Sequence, residues 1–224
     1  MLKQDIKRFL KGYTNLKIMT KTKKQEETEI VAGPEEEKLG DPVDDLPKTI
    51  EVVKATLARE MVIVESNDAT RELYDKTRYG EPLDNKKFQY SLIEALYLME
   101  REKISIVDSK GKTVNFDDFV KKARKVEPKF WIRYVVFKDL RKRGYIVKTA
   151  LKFGADFRVY DRGIKPGEDH ARWVVFPVSE GETLTWHEFS AKNRVAHSTR
   201  KRLMLAIVDA EGDVTFYECR WLRP

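Results

Sequence analysis

Tyr145-Ile-Val-Lys-Thr-Ala-Leu-Lys-Phe-Gly-Ala-Asp-Phe-Arg-Val-Tyr160 is the stretch on which the fold turns. Two short runs rich in β-branched and aromatic residues, 145–148 and 157–160, flank a segment broken by Gly154. That is the pattern of two strands separated by a turn. Upstream the period is helical. Pro128 suits the first position of a helix, Trp131, Tyr134, Val135 and Phe137 give it an apolar face, and Gly144 closes it. Downstream, Trp173-Val-Val-Phe176 and the runs 203–208 and 214–217 read as further strands. One helix interrupts them, opened by the capping box Thr185-Trp-His-Glu188. Asp209-Ala-Glu-Gly-Asp213 reads as the hairpin loop between the last two strands. Residues 128–224 are thus expected to form an α/β domain on a mixed central sheet.

Before it, residues 49–127 read as a smaller, more helical α/β domain. Met61-Val-Ile-Val64 is a short buried strand, and Ser91-Leu-Ile-Glu94 is a capping box opening a helix with Ile93, Leu96, Tyr97 and Glu100 at helical spacing. Asp108-Ser-Lys-Gly111 is a turn, and Asn115-Phe-Asp-Asp118 opens a second helix that must end before Pro128. Residues 1–48 differ from both. The first 24 carry eight Lys or Arg against Asp5, and the next 24 carry nine Asp or Glu against Lys38 and Lys48. With Gly33-Pro34, Gly40-Asp41-Pro42 and Leu46-Pro47 breaking any regular element, this reads as a charged, flexible extension.

The 224 residues are 41% hydrophobic and 36% charged, with a net charge of +7. That balance fits a globular chain and favours a polyanionic partner without naming one. No apolar run approaches the roughly 20 residues of a membrane-spanning helix, and the first ten residues lack the apolar core of a signal peptide. A membrane is not expected as a partner, and the expected setting is cytoplasmic. One cysteine, Cys219, excludes an internal disulfide and a cysteine zinc site. His170, His187 and His197 have no metal-binding spacing, and P-loop, GxSxG and GxGxxG motifs are absent. Neither a metal nor a cofactor is expected, and NTPases, serine hydrolases and dehydrogenases are disfavoured.

One loop stands out. Tyr160 ends a strand, Asp161-Arg-Gly-Ile-Lys-Pro-Gly-Glu-Asp169 follows as a polar, turn-marked segment, and His170 precedes the next strand. A histidine at the lip of a sheet suits exposed acid/base work near neutral pH. Taken singly, each residue has a plainer explanation: His170 as a strand start, Tyr160 as a core or edge aromatic, Lys201 as a helix end complementing the dipole.

The combination is more specific. Lys152-Phe-Gly-Ala-Asp-Phe-Arg-Val-Tyr160, a histidine ten residues on, and Arg194-Val-Ala-His-Ser-Thr-Arg-Lys201 before an apolar strand resemble the archaeal tRNA-splicing endonucleases. The likeness continues through 134–149 and 205–214, and reaches back more weakly to Arg78-Tyr-Gly80 and 91–98, covering about residues 49–224. It implies Tyr160, His170 and Lys201 as the catalytic set and Arg194 as a grip on an extruded base. A second gripping arginine near the C-terminus is implied, with Arg220 and Arg223 as candidates. Ala150 and Ala171 depart from the family pattern, which usually has glycine and often serine there.

RNA cleavage by its own 2′-hydroxyl needs a base, an acid for the leaving 5′-oxygen, and positive charge for the phosphorane. His170 suits the acid and Lys201 the charge. The resemblance gives Tyr160 the base's part; the alternative is that Tyr160 only orients the 2′-hydroxyl. Lys192, Arg200 and Arg202 are candidate phosphate contacts, each equally explicable as surface charge. The resemblance further implies precursor tRNA with bulge-helix-bulge sites as substrate, 2′,3′-cyclic phosphate and 5′-hydroxyl products, and a homotetramer. In that assembly Asp209, Glu211 and Asp213 form the loop that joins two dimers. Three rivals stand beside this reading: a non-catalytic structural subunit, against which the retained three side chains argue, an RNA-binding module, and a DNA nuclease, which would need acidic metal ligands for which Asp156 and Asp169 are a poor pair.

Overall fold

A computed structural model describes Leu46 and residues 51–221. The charged extension read over 1–48 lies outside these residues, apart from Leu46, and so does Arg223. The described residues form an α/β structure with two five-stranded mixed sheets.

The first sheet has strand order β3-β4-β2-β1-β5, from β1 (Val53–Ala58), β2 (Met61–Glu65), β3 (Glu81–Leu83), β4 (Lys87–Ser91) and β5 (Ile104–Val107). β1 pairs parallel with β5, and the other neighbours are antiparallel. This sheet is larger than the expected helical region with one strand. Its extra strands are short, and β3 is an edge piece containing Pro82, so period-two alternation has little length in which to show. Helix α1 (Asp68–Thr77) also escaped the sequence pattern: Leu73 is its one large buried apolar residue, and its capping box pairs Asn67 with Thr70 rather than with Glu or Gln. Helix α2 (Leu92–Glu100) is capped by Ser91 and Glu94 as expected. It buries every residue from 92 to 98, so it is a central helix and not an amphipathic one. Helix α3 (Phe116–Val126) is capped by Asn115, as expected.

Helix α4 (Phe130–Lys142) joins the two halves. Pro128 precedes it in a turn closed by Phe130 N–H donating to Glu127 O, and is not its first residue. Its buried face is Phe130, Arg133, Tyr134, Val136, Phe137, Leu140 and Arg141, while Trp131 is exposed. The expected face is corrected at two positions: Trp131 is exposed and Val135 half-buried while Val136 is buried, because the helix packs between α2 and α3 on one side and the second sheet on the other. Gly144, in the left-handed region at φ 81°, ends the helix; Gly144 N–H donates to Arg141 O and Tyr145 N–H to Leu140 O. That bonding pattern uses the orphan carbonyls of the last turn.

The second sheet has order β10-β9-β8-β7-β6, from β6 (Ile146–Thr149), β7 (Phe157–Tyr160), β8 (Trp173–Ser179), β9 (Arg202–Val208) and β10 (Val214–Cys219). All five match the strand-like runs of the sequence. β8 and β9 are parallel and joined through helix α5 (Trp186–Ser198); the other neighbours are antiparallel. One face packs Val174, Phe176 and Leu203 against Ala196, Phe189 and Val195 of α5. Phe157 on the strand beside β8 meets Phe137 of α4, with ring centroids 6.1 Å apart.

The seam between the halves is aromatic and charged. Tyr79 stacks on Tyr97 at 5.8 Å, and Phe137 meets both rings edge-on. Arg141, almost fully buried, donates to Tyr79 Oη (2.6 Å), Thr77 O (2.8 Å) and Tyr145 O (3.3 Å). Lys148 donates to Gly80 O (2.7 Å) and to Glu94 Oε1 (3.2 Å), and Ser91 N–H and Oγ–H donate to Glu94 Oε2. Every buried charge here has fixed partners, as burial requires.

Candidate active site

Register brings the site together. β7 runs into Tyr160, while β8 and β9 start at the same end of the sheet. Val159 pairs with Trp173, and Trp173 pairs with Arg202. Just beyond these pairs, Arg172 N–H donates to Val159 O and Arg202 N–H donates to Arg172 O, both at 2.9 Å. Tyr160 at the end of β7, the 170–172 segment leading into β8 and Lys201 just before β9 therefore lie side by side at one end of the sheet. With about 4.8 Å between neighbouring strands, the backbones carrying Tyr160 and Lys201 are about 10 Å apart.

Each residue is held differently. Tyr160 is buried with its cross-strand partner Ile146 and with Ala171 and Ile164, and the Arg158 guanidinium lies 5.9 Å from its ring centre. Lys201 is half-buried at the end of α5, its Nζ donating to Thr199 O at 3.0 Å. A lysine beside the last carbonyls complements the helix dipole. The turn that delivers it is tight: Lys201 N–H donates to Ala196 O, Arg200 N–H donates to His197 O, and Arg200 sits at φ 54°. A left-handed non-glycine residue costs roughly 1–2 kcal/mol, so the helix-to-strand turn is held against a local penalty. His170 is exposed at the end of its loop.

The candidate RNA contacts divide. Arg194 is exposed one turn before His197, whose ring meets Trp221 edge-on at 4.6 Å, and Trp221 is 58% exposed. Arg200 is exposed beside Lys201. Arg202 turns away from Lys201 and meets Glu218 at 3.3 Å; Glu218 also accepts from Trp173 Nε1 (2.8 Å) and Arg220 Nε (2.6 Å). Burial would raise the Glu218 carboxyl, but these donors hold it below the ordinary carboxylate range. Lys192 is not brought to this end. Its Nζ lies 4.3 Å from the centre of the Phe176 ring, and its charge acts on Asp156, at the opposite end of β7 from Tyr160.

At the far end of the sheet lies the acidic loop. Asp209 folds inward: its Oδ1 accepts from Glu211 N–H and Asp213 N–H, which makes it a turn former. Glu211 and Asp213 are exposed, and Glu180 caps the neighbouring Ala210 N–H. Sequence reading missed Asp161, Arg172, Glu218 and Trp221. Polar residues beside a motif carry no local signal until register shows what they meet.

A tyrosine, an exposed histidine and a lysine at one end of a mixed sheet are equipment for acid/base cleavage of a phosphodiester. The chain matches two family models, the tRNA intron endonuclease N-terminal domain over residues 53–120 and its catalytic C-terminal domain over residues 130–216. It is 41% identical over 173 residues to a tRNA-splicing endonuclease of Thermococcus onnurineus, covering 77% of this chain and 98% of the relative. It is 40% identical over 172 residues to that of Methanothermobacter thermautotrophicus, covering 77% and 99%. To that of Nanoarchaeum equitans it is 45% identical over 139 residues, covering 59% and 88%. The chain belongs to the tRNA intron endonuclease family, and it is an endoribonuclease. Among the described residues no helix is long and apolar enough to cross a membrane.

Proposed function

We propose that this protein excises introns from precursor tRNA at bulge-helix-bulge sites by attack of the RNA's own 2′-hydroxyl. The observation that carries the reading is the cross-strand row joining Tyr160, the His170 loop and Lys201 at one end of the second sheet. Tyr160 receives the 2′-hydroxyl, as its base or as the group that orients it. The 2′-oxygen then bonds to phosphorus and the bond to the 5′-oxygen breaks. Lys201 faces the charge of the phosphorane, and His170 gives its proton to the departing 5′-oxygen. The products are a 2′,3′-cyclic phosphate and a 5′-hydroxyl. Because the nucleophile is supplied by the substrate, the reaction as written uses no metal-activated water.

Arg194, exposed on α5, suits stacking on a splayed bulge base, with Arg200 as a neighbouring phosphate contact. Two copies would join along β10, the open edge of the sheet with Tyr217 exposed, and two such dimers through the 209–213 loop, giving a homotetramer. A single cysteine and a precursor-tRNA substrate fit a cytoplasmic site of action. The decisive experiment is cleavage of a bulge-containing RNA with one 2′-deoxyribose at the cut position. The deoxy RNA should bind and stay intact; its efficient cleavage would refute internal attack.

A further inference from the structure

Tyr160 ends a strand and Lys201 is held in the tight bonded turn between α5 and β9, but His170 sits at the end of an exposed loop, and something must set where its imidazole stands. The first half of that loop is tied down. Arg162 Nε donates to Arg143 O at 2.7 Å, Ile164 packs on Ile146, Tyr160 and Ala171, and Lys165 N–H donates to Glu168 Oε2 at 3.1 Å. The second half passes through Gly167 at φ 99°, with nothing within reach of an added Cβ, before it arrives at His170. There the tie is Arg172. Its backbone is bonded to the strands on both sides, its guanidinium lies 4.5 Å from the centre of the Trp173 ring, and its Nη1 meets Asp161 Oδ1 at 3.1 Å.

We propose that the Asp161–Arg172 ion pair is a latch across the neck of this loop, and that Arg172 is a positioning residue for His170. The inference rests on His170 acting in cleavage. Asp161 follows Tyr160 directly and Arg172 follows His170 by two residues, so the pair fixes the separation of two of the three reacting side chains. The sign of Asp161 strengthens the assignment. A carboxylate among cations at a site for a polyanion opposes phosphate approach, so what it contributes is geometry and not affinity. Trp173, buried and anchored through Nε1 to Glu218, gives the latch a rigid base on the side of β10.

The test separates positioning from binding. With the full chain and a bulge-containing RNA, single-turnover rate at saturation and Kd are measured for Asp161→Asn. The rate should fall roughly tenfold, towards the 10²-fold that a misplacement of about 1 Å costs, while Kd stays the same or tightens. Exchanging the pair, Asp161→Arg with Arg172→Asp, should recover most of the lost rate. In a His170→Ala background Asp161→Asn should cause no further loss, because the loop then carries no reacting group. Wild-type rate in Asp161→Asn, or a loss that multiplies in full with His170→Ala, overturns the latch. Wild-type rate in His170→Ala alone would instead overturn the reading on which the latch stands.

Discussion

The seam between the two sheets and the open end of the second sheet use the same kinds of side chain for opposite purposes. At the seam, Arg141, Lys148 and Glu94 are buried and each has several fixed partners. At the open end His170, Arg194 and Arg200 are exposed, and Lys201 is half-buried at a helix terminus. A desolvated charge is tolerable only where partners replace its water, so the seam commits its cations to bonds within the fold. The open-end cations keep their hydration until a polyanion displaces it, which is what a phosphate-binding surface requires. The difference lies in surroundings and not in residue type.

The largest effect should come from the seam. Glu94→Gln leaves Lys148 buried beside a neutral group and should lower stability by about 3–5 kcal/mol, read from the urea midpoint. Replacing both partners, Glu94→Leu with Lys148→Met, should recover much of that loss. Burial pushes the Glu94 carboxyl up, but Lys148 and the bonds from Ser91 bring it below its ordinary value of 4.5. A depressed folded value means the contribution is complete above 4.5 and is lost as the pH falls from there through the lower folded value. The Glu94→Gln variant should therefore lose less additional stability than the parent over that acid range; an equal pH dependence would break the comparison from its buried side.

Next in size is the open end. His170→Ala or Lys201→Ala should slow cleavage by at least about 10²-fold with RNA binding retained. Since His170 is exposed, its replacement should move the unfolding free energy by no more than about 0.5 kcal/mol. A His170 variant that cut normally but unfolded easily would assign it to structure instead. Arg194→Lys should then weaken binding of bulged RNA by roughly 1–3 kcal/mol, because the charge stays while the stacking plane is lost. Arg202→Gln, whose partner is Glu218, should change it by less than about 1 kcal/mol. Equal losses at the two arginines would mean that charge alone counts at this end.

The smallest change in fold energy is expected at the acidic loop. Reversing Glu211 and Asp213 to lysine, with Asp209 left to hold the turn, should leave stability within about 0.5 kcal/mol. Sedimentation should find dimers in place of tetramers, and salt should mimic the substitution in the parent protein. A double variant that still sediments as a tetramer would remove the loop from the proposed assembly.

Much of the second half was legible from local rules. Strand runs, the Thr185 capping box, the Gly144 cap and the 209–213 hairpin depend on side chains within a few residues of one another, as does the Ser91 box of the first half, and the ordered motifs around Tyr160, His170 and Lys201 announced the family. Of the first sheet only β2 was legible, as Met61-Val-Ile-Val64; the other strands are three to six residues long and carry too little apolar alternation to show. Local pattern was silent as well on which charges are structural. Glu94 and Lys148 stand 54 residues apart, and Arg141 lies 62 residues from Tyr79, so the sequence around each does not reveal the distant side chain that it meets. Lys201 and Arg202 are neighbours in sequence, yet one meets the end of α5 and the other meets Glu218. Strand alternation sends successive side chains to opposite faces, and only register decides what waits there. The sequence by itself determined the elements and the chemistry on offer; strand order and register decided which of its many cations serve the fold and which stand open at the site.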